Sequence, residues 1–197
     1  MGQRRKIHIG TSGWNYNHWL GTFYPDGLKN KKDWLGYYSD IFHTVEINNS
    51  FYRLPKNNTF EEWKKTAPDD FVFAVKDSRY ITHMKKLKRP EEGIENLMNG
   101  VKSLNGKLGP ILFQLPPHWN VNLERLKMFL EMLPDGYKYV FEFRDESWWI
   151  DEVYDCLKEH NAAFCIFELE KTKSPREITA DFAYIRLHGP GLKYEGK

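Results

Sequence analysis

Charged and amide residues follow short apolar runs at a fixed spacing along this chain. The runs are HTVEIN, FVFAVK, ILFQLP, YVFEFR and YIRLHG. Because strand side chains alternate between faces, Glu46 and Asn48 share one face, opposite Val45 and Ile47. The same spacing places further polar residues near the ends of the later runs, namely Lys76, Gln114, Glu142, Arg144, Arg186 and His188. Parallel sheets build their sites at that end, so we expect these side chains to line one shared mouth.

Two carboxylates on separate strand ends indicate acid–base chemistry. Glu46 and Glu142 could act as acid and base in glycoside cleavage, and His188 could carry a proton near neutral pH. These three residues are therefore the predicted catalytic groups. An arginine beside a carboxylate lowers its pKa and makes it a poor general acid. Since Arg144 and Arg186 are candidates for such pairing, a ring of salt bridges is the alternative interpretation.

The cations of the same set predict an anion site. An arginine side chain offers a planar fork to phosphate or carboxylate. The two glutamates can neutralise two of the three predicted cations, which leaves about one positive charge for a ligand. We therefore predict a small anionic or phosphorylated substrate. The predicted substrate-binding residues are Trp14, Asn48, Tyr52, Lys76, His83, Gln114, Arg144, Trp148 and Arg186.

Aromatic residues make up 16% of the chain and include seven tryptophans. Trp14, Tyr52 and Trp148 lie in loops that directly follow predicted strands. Rings in such loops could stack on a ligand, or they could pack together as a lid over the strand ends.

A metal site and a nucleic-acid site are two further interpretations. Glu46, Glu142 and His188 could ligate a divalent metal, as in some barrel nucleases and sugar isomerases. No strand carries an HxH or DxH pattern, and nearby cations would repel a metal, so we predict no metal and no cofactor.

The basic segment Lys85, Lys86, Lys88 and Arg89 admits a nucleic-acid interpretation, with bases stacking on Tyr80 or Trp148. Such runs are usually solvated surface, and a net charge of only +2 gives little support for nucleic acid or an anionic membrane.

Length and composition are typical of one globular domain. The chain has 197 residues, of which 41% are hydrophobic, and no apolar stretch is long enough for a membrane span. Cys156 and Cys165 have no metal-type spacing and are expected to be reduced. We expect a cytoplasmic protein with no membrane partner.

Strands and helices are predicted to alternate along the chain. Strands are expected at residues 7–11, 43–48, 71–76, 110–114, 138–144, 163–168 and 182–188. Helices are expected at residues 31–41, 60–66, 90–104, 123–133, 150–160 and, more weakly, 175–179. Thr59 with Glu62 fits a capping box, and Asn122 fits an N-cap. This alternation favours parallel strands and an eight-fold TIM-type (β/α) barrel.

Six ordered motifs resemble the YecE-like family, also called domain of unknown function 72. They are IHIGTSGWNYNHWLGTFYP, VEINNSFYRLP, FAVKDSRYITH, LGPILFQLPP, FEFRDESWW and YIRLHG. The resemblance implies a (β/α) barrel whose activity is unsettled. The family pattern usually has a His where Asp145 stands, and it continues past RLHG into a last strand ending in paired Asn. We therefore expect residues 1–197 to form a single (β/α)-barrel domain without its last strand, and whether it is an enzyme stays open.

Overall fold

The computed structural model describes residues 6–52 and 54–189. The chain divides into two compact units. The first takes in Met1–Ser78 and Glu95–Gly109, and the second takes in Arg79–Ile94 and Pro110–Lys197.

Three parallel strands form the sheet of the first unit. They are β1 (Gly10–Ser12), β2 (Thr44–Ile47) and β3 (Val72–Lys76), paired in that order. The helices between them are α1 (Trp34–Ile41), α2 (Asn49–Tyr52) and α3 (Asn57–Thr66). Helix α4 (Glu91–Val101) ends in this unit and leads into a 3₁₀ turn at Lys102–Lys107.

A close backbone approach and one tyrosine join β1 to its neighbours. A Cβ atom on Gly10 would lie 2.0 Å from the carbonyl oxygen of Thr44, so only glycine fits there. The Tyr38 hydroxyl of α1 accepts from the backbone N–H of Thr11 at 2.8 Å and donates to the Thr44 carbonyl at 3.0 Å. Burial raises the pKa of Tyr38, so this hydroxyl keeps its proton. One side chain of α1 therefore bridges β1 and β2.

Parallel strands also form the sheet of the second unit. β4 (Leu108–Gln114) enters this unit at Pro110 and pairs with β5 (Tyr139–Glu142), which pairs with β6 (Ala163–Leu169). A two-residue strand, β7 (Thr172–Lys173), turns back antiparallel on the end of β6. The last described strand, β8 (Tyr184–Leu187), runs parallel to β6.

Two longer helices of the second unit follow the predicted positions, α5 (Leu123–Met132) and α6 (Asp151–Glu159). The side chain of Asn122 accepts from the backbone N–H of Arg125 at 2.9 Å, which confirms the predicted N-cap of α5. The unit also contains a π-helical turn at Tyr80–Met84 and a 3₁₀ turn at Glu146–Trp148.

The two faces of the second sheet differ in what they bury. One face packs against the helices through edge-to-face ring pairs, Phe113 with Phe129 of α5 and Phe164 with Tyr154 of α6. The other face holds an apolar cluster made of Leu112, Val140, Ala163, Cys165 and Phe167. The strand register carries this second face onward to polar residues at the carboxyl ends of the strands.

The predicted mixed α/β fold with parallel strands and intervening helices is confirmed. Within each unit the described strands form an open sheet, and the expectation of a single domain over residues 1–197 stays a prediction. None of the described helices is both long and apolar enough to cross a membrane.

Two predicted boundaries in the first unit are wrong. Strand β1 begins only at Gly10, where its pairing with Thr44 begins, and Ile7 and Ile9 before it are 84% and 71% exposed. Helix α3 begins at Asn57 with Lys56 in the cap position, so Thr59 lies in the first turn and does not cap the helix. The local capping motif did not identify where this helix starts.

The predicted helix at residues 175–179 does not form. Two side chains, Ser174 before this segment and Thr179 at its end, instead accept hydrogen bonds from backbone N–H groups of β6. Ser174 accepts from Phe167 at 2.8 Å, and Thr179 accepts from Phe164 at 2.7 Å. These bonds tie the segment to β6, and none of residues 175–179 is helical.

The predicted alternation of β8 is present, since Ile185 and Leu187 are exposed while Tyr184 and Arg186 are partly buried. Among the described residues, no helix covers Ile185 and Leu187, which are 60% and 75% exposed.

A buried lysine closes the carboxyl end of α3. The Lys107 ammonium donates to the carbonyls of Lys64 at 2.8 Å and Ala67 at 2.7 Å, and lies 3.5 Å from the exposed carboxylate of Asp69. The last carbonyls of a helix have no donor within the helix, and a cation at the carboxyl end interacts favourably with the negative end of the helix dipole. Lys107 thus ties the 3₁₀ turn to the helix within the first unit.

We expect Lys107→Met to lower the free energy of unfolding by about 2 kcal/mol or more, because it leaves two buried carbonyls without a donor. Urea denaturation measures the change. The matched control is Lys102→Met on the same turn, whose side chain is exposed. Equal losses in both variants would show that the Lys107 bonds contribute nothing specific.

Candidate functional site

The carboxylate of Glu142, at the end of β5, is the centre of a polar cluster in the second unit. This residue is fully buried. Its Oε1 accepts from Gln114 Nε2 and from Arg144 Nε, each at 2.6 Å. Its Oε2 accepts from Arg186 Nη1, and the Cys165 thiol lies 3.9 Å away. Three other residues of the predicted set therefore meet at the carboxylate of Glu142, together with one cysteine that was not predicted.

Strand register explains why these residues meet. Gln114 is directly opposite Glu142 on β4 and β5, and Arg186 is opposite Phe167 on β8 and β6. Residues in register on neighbouring parallel strands point to the same side of the sheet. Within the second unit, Gln114, Arg144 and Arg186 thus contact Glu142. His188, which the same pattern grouped with them, instead bonds to the carbonyl of Glu168.

Electrostatics keep Glu142 ionised. Burial raises its pKa, but the positive charges of Arg186 and Arg144 and their hydrogen bonds outweigh burial, and the pKa falls to about 2. A carboxylate with that pKa and with donors on both oxygens has no proton to give at neutral pH. The structure therefore argues against the predicted catalytic role of Glu142, which instead positions the two arginines.

Arg144 reaches the surface of this cluster. Its side chain is 22% exposed and is bound to Glu142 through Nε. Among the described residues, its two terminal amino groups make no hydrogen bond.

His188 follows β8 and is half-buried. Its Nδ1 donates to the carbonyl of Glu168 at 3.1 Å, which places the lone pair of the neutral ring on Nε2. Burial lowers the pKa of His188, and the charge of Arg186 lowers it further. The imidazole is therefore neutral at pH 7 and suited to accept a proton.

A second polar cluster lies in the first unit. The hydroxyl of Ser12 donates to Oε1 of Glu46 at 2.7 Å and accepts from the side-chain amide of Asn48. Ser12 and Glu46 are in register on β1 and β2. Ser12 was not among the predicted site residues, although its place at the end of a strand follows the same alternation that identified Glu46.

Lys76 also lies in the first unit, at the end of β3, and is 9% exposed. Its ammonium is 4.0 Å from the centroid of the Phe51 ring, and its carbonyl accepts from Ser50. The aromatic contact stabilises a buried cation.

The tryptophan rings that could stack on a ligand are buried. Trp148 has no exposed surface, stacks on Phe143 at 4.9 Å and donates to the carbonyl of Trp119. Trp14 is 7% exposed and meets Trp63 edge-to-face at 5.0 Å. Neither ring offers an open face to a ligand here, which contradicts the expectation of stacking.

The other two predicted binding residues lie in short helical elements. Tyr52 ends α2, and its side chain is outside the described part of the structure. His83 lies in the π-helical turn with its Nδ1 3.0 Å from the Thr82 hydroxyl. The expectation that the two polar clusters line one mouth stays a prediction.

Among the described residues, no three His, Cys, Asp or Glu side chains are placed to hold a metal ion. The absence of a metal also stays a prediction, which elemental analysis of protein purified without chelator would decide.

The depressed pKa of Glu142 predicts a pH dependence of stability. The folded state binds this proton less readily than the unfolded chain, whose ordinary pKa is 4.5. The stabilisation is complete above pH 4.5 and is lost as the pH falls towards 2. A shift of that size corresponds to roughly 3 kcal/mol. We expect Glu142→Gln to lower the free energy of unfolding at pH 7 by about that amount and to remove this acid dependence.

Urea denaturation at a series of pH values tests this expectation. Glu146→Gln is the matched control, because that residue is exposed in the neighbouring 3₁₀ turn. A wild-type and a Glu142→Gln protein whose stabilities differ equally at every pH would contradict the assignment.

Comparisons with known proteins agree with the arrangement of strands and motifs. A family model described as "Protein of unknown function DUF72" matches residues 8–196. The UPF0759 protein YunF of Bacillus subtilis is 30% identical over 158 residues, which cover 76% of this chain and 54% of that protein. The UPF0759 protein YecE of Escherichia coli is 27% identical over 139 residues, covering 70% and 48%. The chain thus spans about half the length of the curated relatives it matches.

Solved structures give the same result. A crystal structure of a DUF72 family protein from Thermotoga maritima has a TM-score of 0.84 and 30% identity, and covers 98% of this chain and 78% of that one. A DUF72 family protein from Enterococcus faecalis, at 20% identity and a TM-score of 0.76, covers 93% and 70% and shows the fold alone. With matched sequence along nearly its whole length, the chain belongs to the DUF72 family of proteins of unknown function.

Proposed function

We propose that this protein is an enzyme that acts on a small anionic or phosphorylated substrate, with the Arg144 guanidinium as the anion-binding group. The observation that carries the proposal is the way Arg144 is held. Glu142 fixes the guanidinium through Nε, while the terminal amino groups bond to no described residue and the side chain reaches the surface.

The geometry of a guanidinium fits this role. Its two terminal amino groups form the edge that binds phosphate or carboxylate oxygens in pairs. Because Nε is already bound, the orientation of that edge is set before a ligand arrives, which reduces the entropy cost of binding. The positive charge of the Arg144 guanidinium favours an anion over a neutral ligand.

His188 supplies a proton acceptor for the proposed reaction. It is close enough to the cluster for Arg186, Glu142 and Arg144 all to influence its pKa, and the lowered pKa keeps the imidazole neutral. A neutral imidazole can take a proton from a substrate hydroxyl or water. In this proposal Glu142 holds the anion-binding groups and His188 moves the proton.

The wider setting belongs to the same proposal. We infer that the parallel strands belong to a TIM-type (β/α) barrel with the site at the carboxyl ends of its strands. The support is the register of polar residues at those ends. Two buried cysteines without a disulfide support a reducing, cytoplasmic location.

We expect Arg144→Lys to weaken binding of a small aromatic phosphate ester, such as phenyl phosphate, by about tenfold, since the loss of one charge-assisted bond pair is worth about 1.4 kcal/mol or more. Arg144→Ala should weaken it further. Isothermal titration with phenyl phosphate, inorganic phosphate and phenol separates the contribution of the anion from that of the ring.

The matched control is Arg176→Lys, an exposed arginine of the same unit. Thermal melting checks that each variant is folded. An Arg144→Ala protein that is folded and binds phosphate-bearing ligands as well as the wild type would rule out the proposed site.

A further inference from the structure

A short basic loop in the second unit carries charges that no described carboxylate neutralises. The basic loop is residues 85–89, and its four cations, Lys85, Lys86, Lys88 and Arg89, are all exposed. None of them makes an ion pair with a described residue. Arg125, which contacts the loop, has no such partner within the described part of the chain either.

The backbone of the basic loop is strained at three of its five residues. Lys86, Leu87 and Arg89 have φ values of 48°, 61° and 45°, in the left-handed region. Each such residue costs roughly 1 kcal/mol, and strained residues of this kind cluster at functional sites. The loop also directly follows the π-helical turn, an element often found at such sites.

Contacts inside the unit hold the strained loop in place. The Leu87 side chain is 3% exposed, and its N–H donates to the Ile81 carbonyl at 3.0 Å. The Lys88 N–H donates to the Lys85 carbonyl at 2.9 Å. One apolar side chain is therefore anchored inside while the lysines are displayed to solvent.

Two cations from distant parts of the sequence meet at one ring. The Lys86 ammonium and the Arg125 guanidinium each lie 5.9 Å from the centroid of the Trp119 ring. Arg125 also donates to the Lys86 carbonyl at 3.4 Å. Aromatic contact offsets part of the repulsion between like charges, and a polyanion would offset the rest.

We propose that the basic loop and Arg125 bind the phosphodiester backbone of a single-stranded nucleic acid without selecting its sequence. Each lysine acts as a point charge beside a phosphate, and its binding releases counterions from the nucleic acid. A flexible strand can follow a loop of this size, whereas a stiff duplex would touch it at fewer phosphates.

The aromatic contacts explain why base selection is not part of the proposal. Trp119 is 8% exposed and is approached by two cations, and the Lys85 ammonium lies 5.4 Å from the Tyr80 ring centroid. Neither ring presents a free stacking platform for bases.

An anionic membrane fits the loop less well than a nucleic acid. Insertion into a bilayer surface needs apolar side chains that point outward beside the cations. Here Leu87 points inward, and Met84 alone is an exposed apolar residue of the turn that precedes the loop. The proposal is also independent of the Arg144 site, since it uses none of that site's residues.

Fluorescence anisotropy with a labelled oligothymidylate tests the proposal on the whole chain. We expect binding at low salt whose affinity falls with a logarithmic salt slope of about 3, the value for four to five phosphate contacts with a single strand. Lys85→Glu with Lys86→Glu should lower the affinity by about tenfold or more and flatten that slope.

The matched control is Lys29→Glu with Lys32→Glu, two exposed lysines of the first unit, which changes the net charge by the same amount. This control should keep its affinity within about twofold. If the charge reversals lower the melting temperature, Lys85→Gln with Lys86→Gln removes the two positive charges without adding negative ones and should still weaken binding.

Three outcomes would overturn the proposal. They are equal losses in the loop variant and the control, binding that does not respond to salt, and tighter loop-dependent binding to phosphatidylserine vesicles than to the oligonucleotide. Loss of oligonucleotide binding with intact binding of phenyl phosphate would support the loop and leave the Arg144 proposal untouched.

Discussion

The carboxylate of Glu142, bound by two guanidinium groups, is the interaction on which the second unit depends. Donors or close neighbours from four strand ends meet at it: Gln114 from β4, Arg144 after β5, Cys165 from β6 and Arg186 from β8. A fully buried charge is costly unless each of its oxygens is satisfied. This requirement fixes which side chains can occupy the strand ends and how they are oriented.

Burying an ion pair has a desolvation cost that the attraction between its partners must exceed. For Glu142 the charges and hydrogen bonds of the two arginines outweigh desolvation, and the same contacts also fix the orientation of the guanidinium groups. Arg144 is held by one nitrogen and keeps its outer edge turned to the surface. The cost of the buried charge is thus compensated by a preorganised group, which is how binding sites reduce the entropy lost on association.

Strand alternation predicted much of the cluster, because the face to which each side chain points follows from its position in its own strand and holds in any parallel sheet. Gln114, Glu142 and Arg186 were grouped correctly for that reason. The same rule applies to Ser12, which was not among the predicted residues although its hydroxyl contacts Glu46.

Other features depend on partners far away in the sequence and could not be predicted locally. The position of Trp148 in a loop does not predict that its ring stacks on Phe143. That contact leaves the Trp148 ring buried. Ser174 and Thr179 bond to β6 rather than allowing a helix, since the strand edge between them needs acceptors. The buried role of Lys107 likewise depends on carbonyls about 40 residues earlier.

Leu87 combines two demands that few amino acids meet together. Its side chain is buried, so a polar or very small residue would leave an unfilled space, and its backbone has φ of 61°. Branching at Cβ makes that backbone region strongly unfavourable, so valine and isoleucine are poor replacements. Glycine would relieve the backbone but lose the anchor. Evolutionary variation at this position should therefore be confined to apolar residues that are not branched at Cβ, such as leucine and methionine, even where the surrounding lysines are replaced.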